Sequence, residues 1–162
     1  MKSNLFTLAF LSVFFLSSFD KNLSENAFTI QNKTYPLNSS VIANESYGIK
    51  SKFEVDLISE HNDVAKAKTY IWLSLASNNT SSLSNGVYQF SSIGLNQRLP
   101  FQFSGSVRVN NHVLEVVEGT ASISNNCGDL DIQFILKLQN GDITQGTFRG
   151  KASQIDRSRS YQ

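Results

Sequence analysis

Residues 130–138 read LDIQFILKL and decide the fold class, because apolar and polar side chains alternate along this stretch. The even-numbered positions form one apolar face, which consists of Leu130, Ile132, Phe134, Leu136 and Leu138. A period of two is typical of a strand with one face in the core. Asn140 and Gly141 follow, and this pair tolerates the positive φ angles of a tight hairpin turn. The pattern therefore predicts a strand over 130–138 that turns back antiparallel over 143–152.

The same alternation recurs toward the N-terminus, in runs separated by Asn, Ser, Gly and Asp clusters. It predicts strands over 28–30, 34–37, 52–58, 69–77, 86–91, 101–109, 113–117 and 120–124. Gly105 interrupts one of these runs and indicates a bend or a close approach of two backbones. The charged connection 60–68 has room for a short helical turn, and residues 78–85 form a polar loop.

These strands predict a single all-β antiparallel domain, which fits a chain of 162 residues. We favour an up-and-down barrel of the lipocalin or streptavidin kind, because the second half forms a simple meander whose apolar faces keep to one side of each strand. A two-sheet β-sandwich is the alternative. Residues 19–152 would form the domain. Residues 153–162 show no period and are expected to fray.

The first 18 residues are typical of a secretory signal peptide, with Lys2 ahead of an apolar run over 5–16. This run is too short to span a bilayer comfortably, and an uncleaved N-terminal anchor is the alternative. No cysteine lies just after the run, which excludes the anchor of a bacterial lipoprotein. We therefore expect a secreted or periplasmic protein that has no lipid anchor and no transmembrane segment in its mature chain.

Charge and cysteine content exclude several functional classes. The chain has 14 basic and 13 acidic side chains, so its net charge of +1 gives no electrostatic support to a nucleic-acid partner. Cys127 is the single cysteine, and it excludes both an internal disulfide and a cysteine-based zinc site. Its thiol is predicted to lie in a turn, where it is either exposed for pairing between molecules or buried and inert.

No pattern of catalytic or metal-binding residues emerges from the sequence. His61 and His112 each lie beside polar residues without a third metal ligand, so solvated loop positions are expected. A pair of the second-half carboxylates Glu115, Glu118, Asp129 and Asp131 could do general acid-base work. Glu115 and Asp131 alternate with apolar residues, however, and are expected to face solvent. We predict no catalytic residue, no metal and no cofactor.

Aromatic side chains are the best candidates for a binding site. Tyr70 and Trp72 share one strand face, and Tyr88 and Phe90 share a face of the following strand. Either protein covers these faces, or an aromatic face stays open as a platform for a sugar ring or an apolar ligand. A barrel would place inward-facing members of this set around a cavity mouth.

Three segments resemble exported all-β domains that are common in Bacteroidota. They read SNGVYQF over 84–90, GTASI over 119–123 and LKLQNGDITQGTFRG over 136–150. The resemblance covers roughly residues 50–152 and concerns mainly turn glycines and strand residues, so it implies a fold and an exported location. Many of those domains carry a lipid anchor, for which this chain lacks the cysteine.

The sequence thus supports three functional hypotheses. The first is an exported, non-catalytic protein that binds a small apolar or carbohydrate ligand through Tyr70, Trp72, Tyr88 and Phe90. The second is a structural or interaction protein of the cell envelope, which pairs with a protein partner through a sheet face or edge. The third is a small hydrolase that uses strand carboxylates.

Overall fold

The computed structural model describes residues 26–59, 67–94 and 97–159. Over these residues it contains ten strands: β1 (Ala27–Ile30), β2 (Lys33–Pro36), β3 (Ser39–Asn44), β4 (Phe53–Ile58), β5 (Tyr70–Ala76), β6 (Gly86–Phe90), β7 (Gln102–Val109), β8 (His112–Asn126), β9 (Asp129–Leu138) and β10 (Ile143–Asp156). The predicted signal peptide, His61 and the predicted helical turn within 60–68 lie wholly or mostly outside the described residues. No helix in the described part of the chain has the length and apolar character needed to span a membrane.

Eight of the described strands form a closed β-barrel in the order β3-β4-β5-β7-β6-β8-β9-β10, and β10 pairs again with β3. The prediction of an all-β barrel is therefore confirmed, and the sandwich alternative does not apply. The β1–β2 hairpin lies beside the barrel, with β1 antiparallel to residues 144–147 of β10. The predicted hairpin over 130–152 is also confirmed, because β9 and β10 pair antiparallel from Ile143 opposite Lys137 to Lys151 opposite Asp129.

The barrel departs from a simple meander at two places. Strand β7 pairs with β8 directly from Ser106 to Val109, but β6 lies between them farther along and is parallel to β7 over two residues. Strands β10 and β3 close the barrel as a parallel pair, from Ala152 opposite Ser40 to Asp156 opposite Asn44. Neighbouring parallel strands require a connection that crosses over, which a pure up-and-down order does not contain.

The prediction that the chain frays from Ser153 is wrong for residues 153–156, which continue β10. Their side chains are exposed and lack a period, yet their backbone pairs with β3. Strand β3 is itself rich in serine and asparagine and escaped prediction. Backbone hydrogen bonds between two strands do not depend on apolar side chains, so an apolar pattern cannot reveal this pairing.

The two strands predicted over 113–117 and 120–124 are one strand, β8, with a bulge between Val116 and Glu118. Val116 is buried before the bulge, whereas Ala121 and Ile123 are buried after it, so the inward face changes from even to odd positions. An extra residue in one strand produces this change. The expectation that each strand keeps one apolar face is therefore wrong for β8.

The barrel interior is filled by apolar side chains from all of its walls. The predicted apolar face of β9 is confirmed, because its five members are at most 1% exposed. Large side chains from other strands meet this face; they include Phe28, Leu57, Ile71, Leu73, Tyr88 and Phe103. Such a core resembles the close-packed interior of ordinary proteins. Two open clefts of the described residues lie on the barrel wall and at one barrel end.

Candidate functional site

The four predicted aromatic residues lie in two separate places. Tyr70 and Trp72 are partly exposed on the outer face of β5, while the alternate residues of that strand point into the core. Tyr88 and Phe90 point inward on β6. Strand β5 pairs with β4 and β7 and not with β6, so the four rings do not form a common platform.

Tyr88 and Phe90 are packing residues. Tyr88 is fully buried, and its hydroxyl donates a hydrogen bond to the carbonyl oxygen of Ser84 at 2.8 Å. Burial raises the pKa of this hydroxyl above its usual value. The Phe90 ring meets Phe103 edge to face, with 6.1 Å between ring centroids. Tyr88 therefore has no open surface for a ligand, and Phe90 is partly buried against the core.

Tyr70 and Trp72 line a groove of about 550 Å³ on the outside of the barrel, which we call the wall groove. Strands β3, β4, β5 and β7 and the end of β10 form it. Its lining comprises Val41, Ala43, Glu54, Asp56, Tyr70, Trp72, Ser106, Ile155 and Arg157. The groove depends on the parallel closure of the barrel, because Ile155 and Arg157 lie at and just beyond the end of β10.

Strand register brings a carboxylate, an indole and a hydroxyl side by side in this groove. Trp72 lies between Asp56 of β4 and Ser106 of β7, directly opposite each of them. Side chains at opposite positions of antiparallel strands are in contact distance. Tyr70 is the next outward residue of β5, and the guanidinium of Arg108 lies 4.9 Å from the centre of its ring.

Arg98 covers the outer face of β5 and β7 beside one end of the wall groove. Arg98 donates hydrogen bonds to the carbonyl oxygen of Ser74 at 2.9 Å and to the hydroxyl of Ser104 at 2.6 Å. Ser74 is the next outward residue after Trp72 on β5. Ser104 is the outward residue before Ser106 on β7. The arginine therefore holds its loop over this part of β5 and β7, next to the exposed indole.

Asp56 is the electrostatically unusual group of the wall groove. Burial, and to a lesser extent the nearby Glu54 carboxylate, raises its pKa from 3.8 to about 6, against the opposing effect of Arg157. The other two charged residues of the groove, Glu54 and Arg157, each form an ion pair. Lys52 lies 2.7 Å from Glu54, and Glu45 lies 2.9 Å from Arg157.

Replacing Asp56 by asparagine is expected to stabilise the protein at pH 7. The folded pKa is raised from 3.8 to about 6, so the wild type loses stability as the pH rises through this window. We expect a gain of about 1 kcal/mol, because partial solvent exposure screens much of the effect. Urea unfolding at pH 4 and pH 7 measures the difference, which should vanish near pH 4. Asp129→Asn, at an exposed ion pair with Lys151, is the control; a pH-independent difference for Asp56→Asn would contradict the prediction.

A second cleft of about 720 Å³ lies at one end of the barrel, and we call it the end cleft. Its floor is apolar and its rim consists mainly of neutral amides and hydroxyls. The lining residues are Ile42, Asn44, Phe53, Ser81, Ser82, Leu83, Ser84, Asn85, Asn125, Asn126, Cys127, Gln154, Ile155 and Asp156. The free thiol of Cys127 is exposed at this rim, in the predicted turn.

The carboxylates that the sequence singled out do not converge in either cleft. Three of them form ion pairs with basic side chains of neighbouring strands: Glu118 with Lys137 at 3.6 Å, Asp129 with Lys151 at 2.8 Å and Asp131 with Arg149 at 2.6 Å. Glu115 and His112 are exposed on β8, as expected for solvated positions. Within residues 26–59, 67–94 and 97–159, no group of three or more His, Cys, Asp or Glu side chains could hold a metal.

The comparisons with protein families, curated proteins and solved structures returned no match.

Sequence reasoning found Tyr70 and Trp72 but missed Asp56 and Glu54 as their neighbours. The alternation over 52–58 did place both carboxylates on the solvent-facing side of the strand. The missing information was the pairing of β4 with β5, in which Asp56 lies opposite Trp72. A prediction that the strands before and after the connection 60–68 pair antiparallel, with Ile58 opposite Tyr70, would have placed Asp56 opposite Trp72.

Proposed function

We propose that this protein is an exported, non-catalytic carbohydrate-binding protein and that the wall groove is its binding site. The observation that carries the proposal is the cross-strand pair of Trp72 and Asp56, with Tyr70 beside it, on an open face of the barrel. Export is supported by the signal-like residues 1–18.

The chemistry of the groove suits a sugar better than a purely apolar ligand. A pyranose ring has an apolar C–H face that stacks on an aromatic ring, while its hydroxyl groups donate hydrogen bonds sideways. Trp72 offers a ring face, with Tyr70 beside it, and the carboxylate of Asp56 offers an ionised acceptor, which forms stronger hydrogen bonds than a neutral one. Ser106 and Arg157 add further polar groups at the edge of the same groove.

The raised pKa of Asp56 also supports a functional role. An ionised, half-buried carboxylate next to Glu54 costs stability at neutral pH. Residues whose pKa is shifted by burial and by a charged neighbour inside a cleft are enriched at functional sites. Sugar hydroxyls would supply the hydrogen bonds that such a carboxylate lacks in an apolar setting.

The envelope-interaction alternative has weaker support. Among the described strands, β2 pairs with β1 alone and so presents a free edge. This edge is four residues long and contains Lys33 and Pro36, and both residue types discourage the addition of another strand. The hydrolase alternative is weakened by the ion pair of Glu54 with Lys52, which occupies the carboxylate nearest to Asp56 along β4.

A glycan array tests the proposal. We expect the labelled protein to bind a defined subset of glycans, and Trp72→Ala to lose at least about tenfold in affinity because it removes the stacking surface. Tyr47→Ala is the matched control, since Tyr47 is an exposed aromatic residue outside the lining of the groove. Absence of glycan binding, or equal effects of the two variants, would overturn the proposal.

A further inference from the structure

The wall groove and the end cleft lie on the two sides of one strand segment, residues 154–157. Gln154 and Asp156 line the end cleft, and Arg157 lines the wall groove. Ile155 lines both cavities. The alternation of side chains along an extended backbone explains this arrangement, because successive residues point to opposite faces.

The boundary between the cavities is only one strand wide. Residues 154–156 of β10 pair with β3, while β9 pairs with β10 no further than Lys151. A strand occupies about 4.8 Å in the direction of its hydrogen bonds. Ile155 lies on this boundary strand and is 38% exposed, and its apolar side chain lines both cavities.

The end cleft is amphipathic like the wall groove, and Asp156 is the charged residue of its lining. Ile42, Phe53 and Leu83 form the apolar floor, and amides and hydroxyls surround it. Part of this rim is held in place by hydrogen bonds. The side-chain amide of Asn44 donates to the carbonyl oxygen of Thr80 at 2.9 Å, and the Asn85 side chain accepts from the backbone N–H of Asn125 at 2.7 Å.

Resting on the proposed function, we propose that the two cavities are subsites of one extended site and that the ligand is an oligosaccharide. One end of the glycan stacks on Trp72, the chain crosses Ile155, and the following units meet Gln154 and Asn126 in the end cleft. Volumes of about 550 and 720 Å³ each suit a separate small ligand. A single sugar can fill one cavity only, whereas a longer glycan reaches both.

Two linked subsites predict a dependence of affinity on glycan length. Once the first units are bound in the wall groove, the next units enter the end cleft at a high effective concentration. We therefore expect a glycan long enough to fill both cavities to bind at least about tenfold tighter than its disaccharide.

Calorimetric titration tests this inference with a length series, from one to six units, of a glycan that the array identifies. Gln154→Ala should weaken binding of the hexasaccharide by about fivefold and leave the disaccharide unchanged, because the lost amide faces the end cleft. Gln133→Ala, at an exposed position of β9, is the control and should alter neither. Trp72→Ala should weaken every length.

The outcomes separate the two proposals. Affinity that depends on Trp72 but not on glycan length or Gln154 overturns the extended site and leaves the wall groove as the binding site. Equal weakening of short and long glycans by Gln154→Ala also overturns the extended site, because it indicates a general distortion. Absence of binding for every glycan overturns the proposed function together with this inference.

Discussion

A chain that ends at Ala152 is expected to lose about 3–6 kcal/mol of its free energy of unfolding, at roughly 1 kcal/mol for each lost backbone hydrogen bond. The deletion removes the parallel pairing of β10 with β3 beyond Ala152. It also removes three hydrogen bonds that extend the pairing. The backbone N–H groups of Arg157 and Arg159 donate to the carbonyl oxygens of Asn44 and Ser46 at 2.8 and 2.9 Å, and that of Gly48 donates to the carbonyl oxygen of Arg159 at 3.1 Å. Since domains are stable by about 5–15 kcal/mol in total, part of the population should unfold at 37 °C.

Guanidinium unfolding measures this effect against a chain that ends at Arg159. That control lacks only residues 160–162 and keeps the whole of the described strand. Its stability should lie within about 0.5 kcal/mol of the full chain, because it keeps every described contact of residues 153–159. If the chain ending at Ala152 matched the control, residues 153–159 would not hold the barrel closed.

Gly105→Ala is expected to destabilise the protein by about 2–3 kcal/mol, since the added methyl group overpacks a core with no room for it. A Cβ atom at this position would lie 2.4 Å from the carbonyl oxygen of Trp72 and 2.9 Å from the Leu73 side chain. The first of these atoms belongs to the backbone of β5, so the strand that carries the wall groove would have to move.

Gly94→Ala is the matched control for this substitution, because a Cβ atom there would meet nothing within 4 Å. We expect this change to be neutral or slightly stabilising, since alanine restricts the unfolded chain. Thermal unfolding of both variants measures the difference. An equal effect at the two positions would contradict the close approach of β5 and β7 at Gly105.

The sequence predicted the strands in which apolar and polar side chains alternate. Strand β9 and its hairpin partner follow from the alternation over 130–138 and from Asn140-Gly141. The predicted close approach at Gly105 is confirmed, because no side chain fits between β7 and the backbone of Trp72. Strand β3 and residues 153–156 escaped because their pairing is carried by the backbone, between segments far apart in sequence.

Only part of the candidate site could be predicted, because alternation along one strand does not show which strands become neighbours. The alternation of β5 put Tyr70 and Trp72 on one face, and this is observed. The four aromatic residues lie in two places because strands that follow one another in sequence are not neighbours here: β7, not β6, lies beside β5. Ile155 and Arg157 reach the wall groove only through the parallel closure, which no local pattern indicates.

Intrinsic fluorescence tests the central claim most directly, because Trp72 is the single tryptophan of the chain and lies in the wall groove. Titration with an array-identified glycan, with excitation at a wavelength selective for tryptophan, reports on the environment of this indole alone. We predict a saturable change in emission whose midpoint equals the dissociation constant from calorimetry, and whose amplitude is kept in Tyr47→Ala. Binding that is measured by calorimetry but leaves the emission of Trp72 unchanged would contradict the assignment of the wall groove as the carbohydrate site.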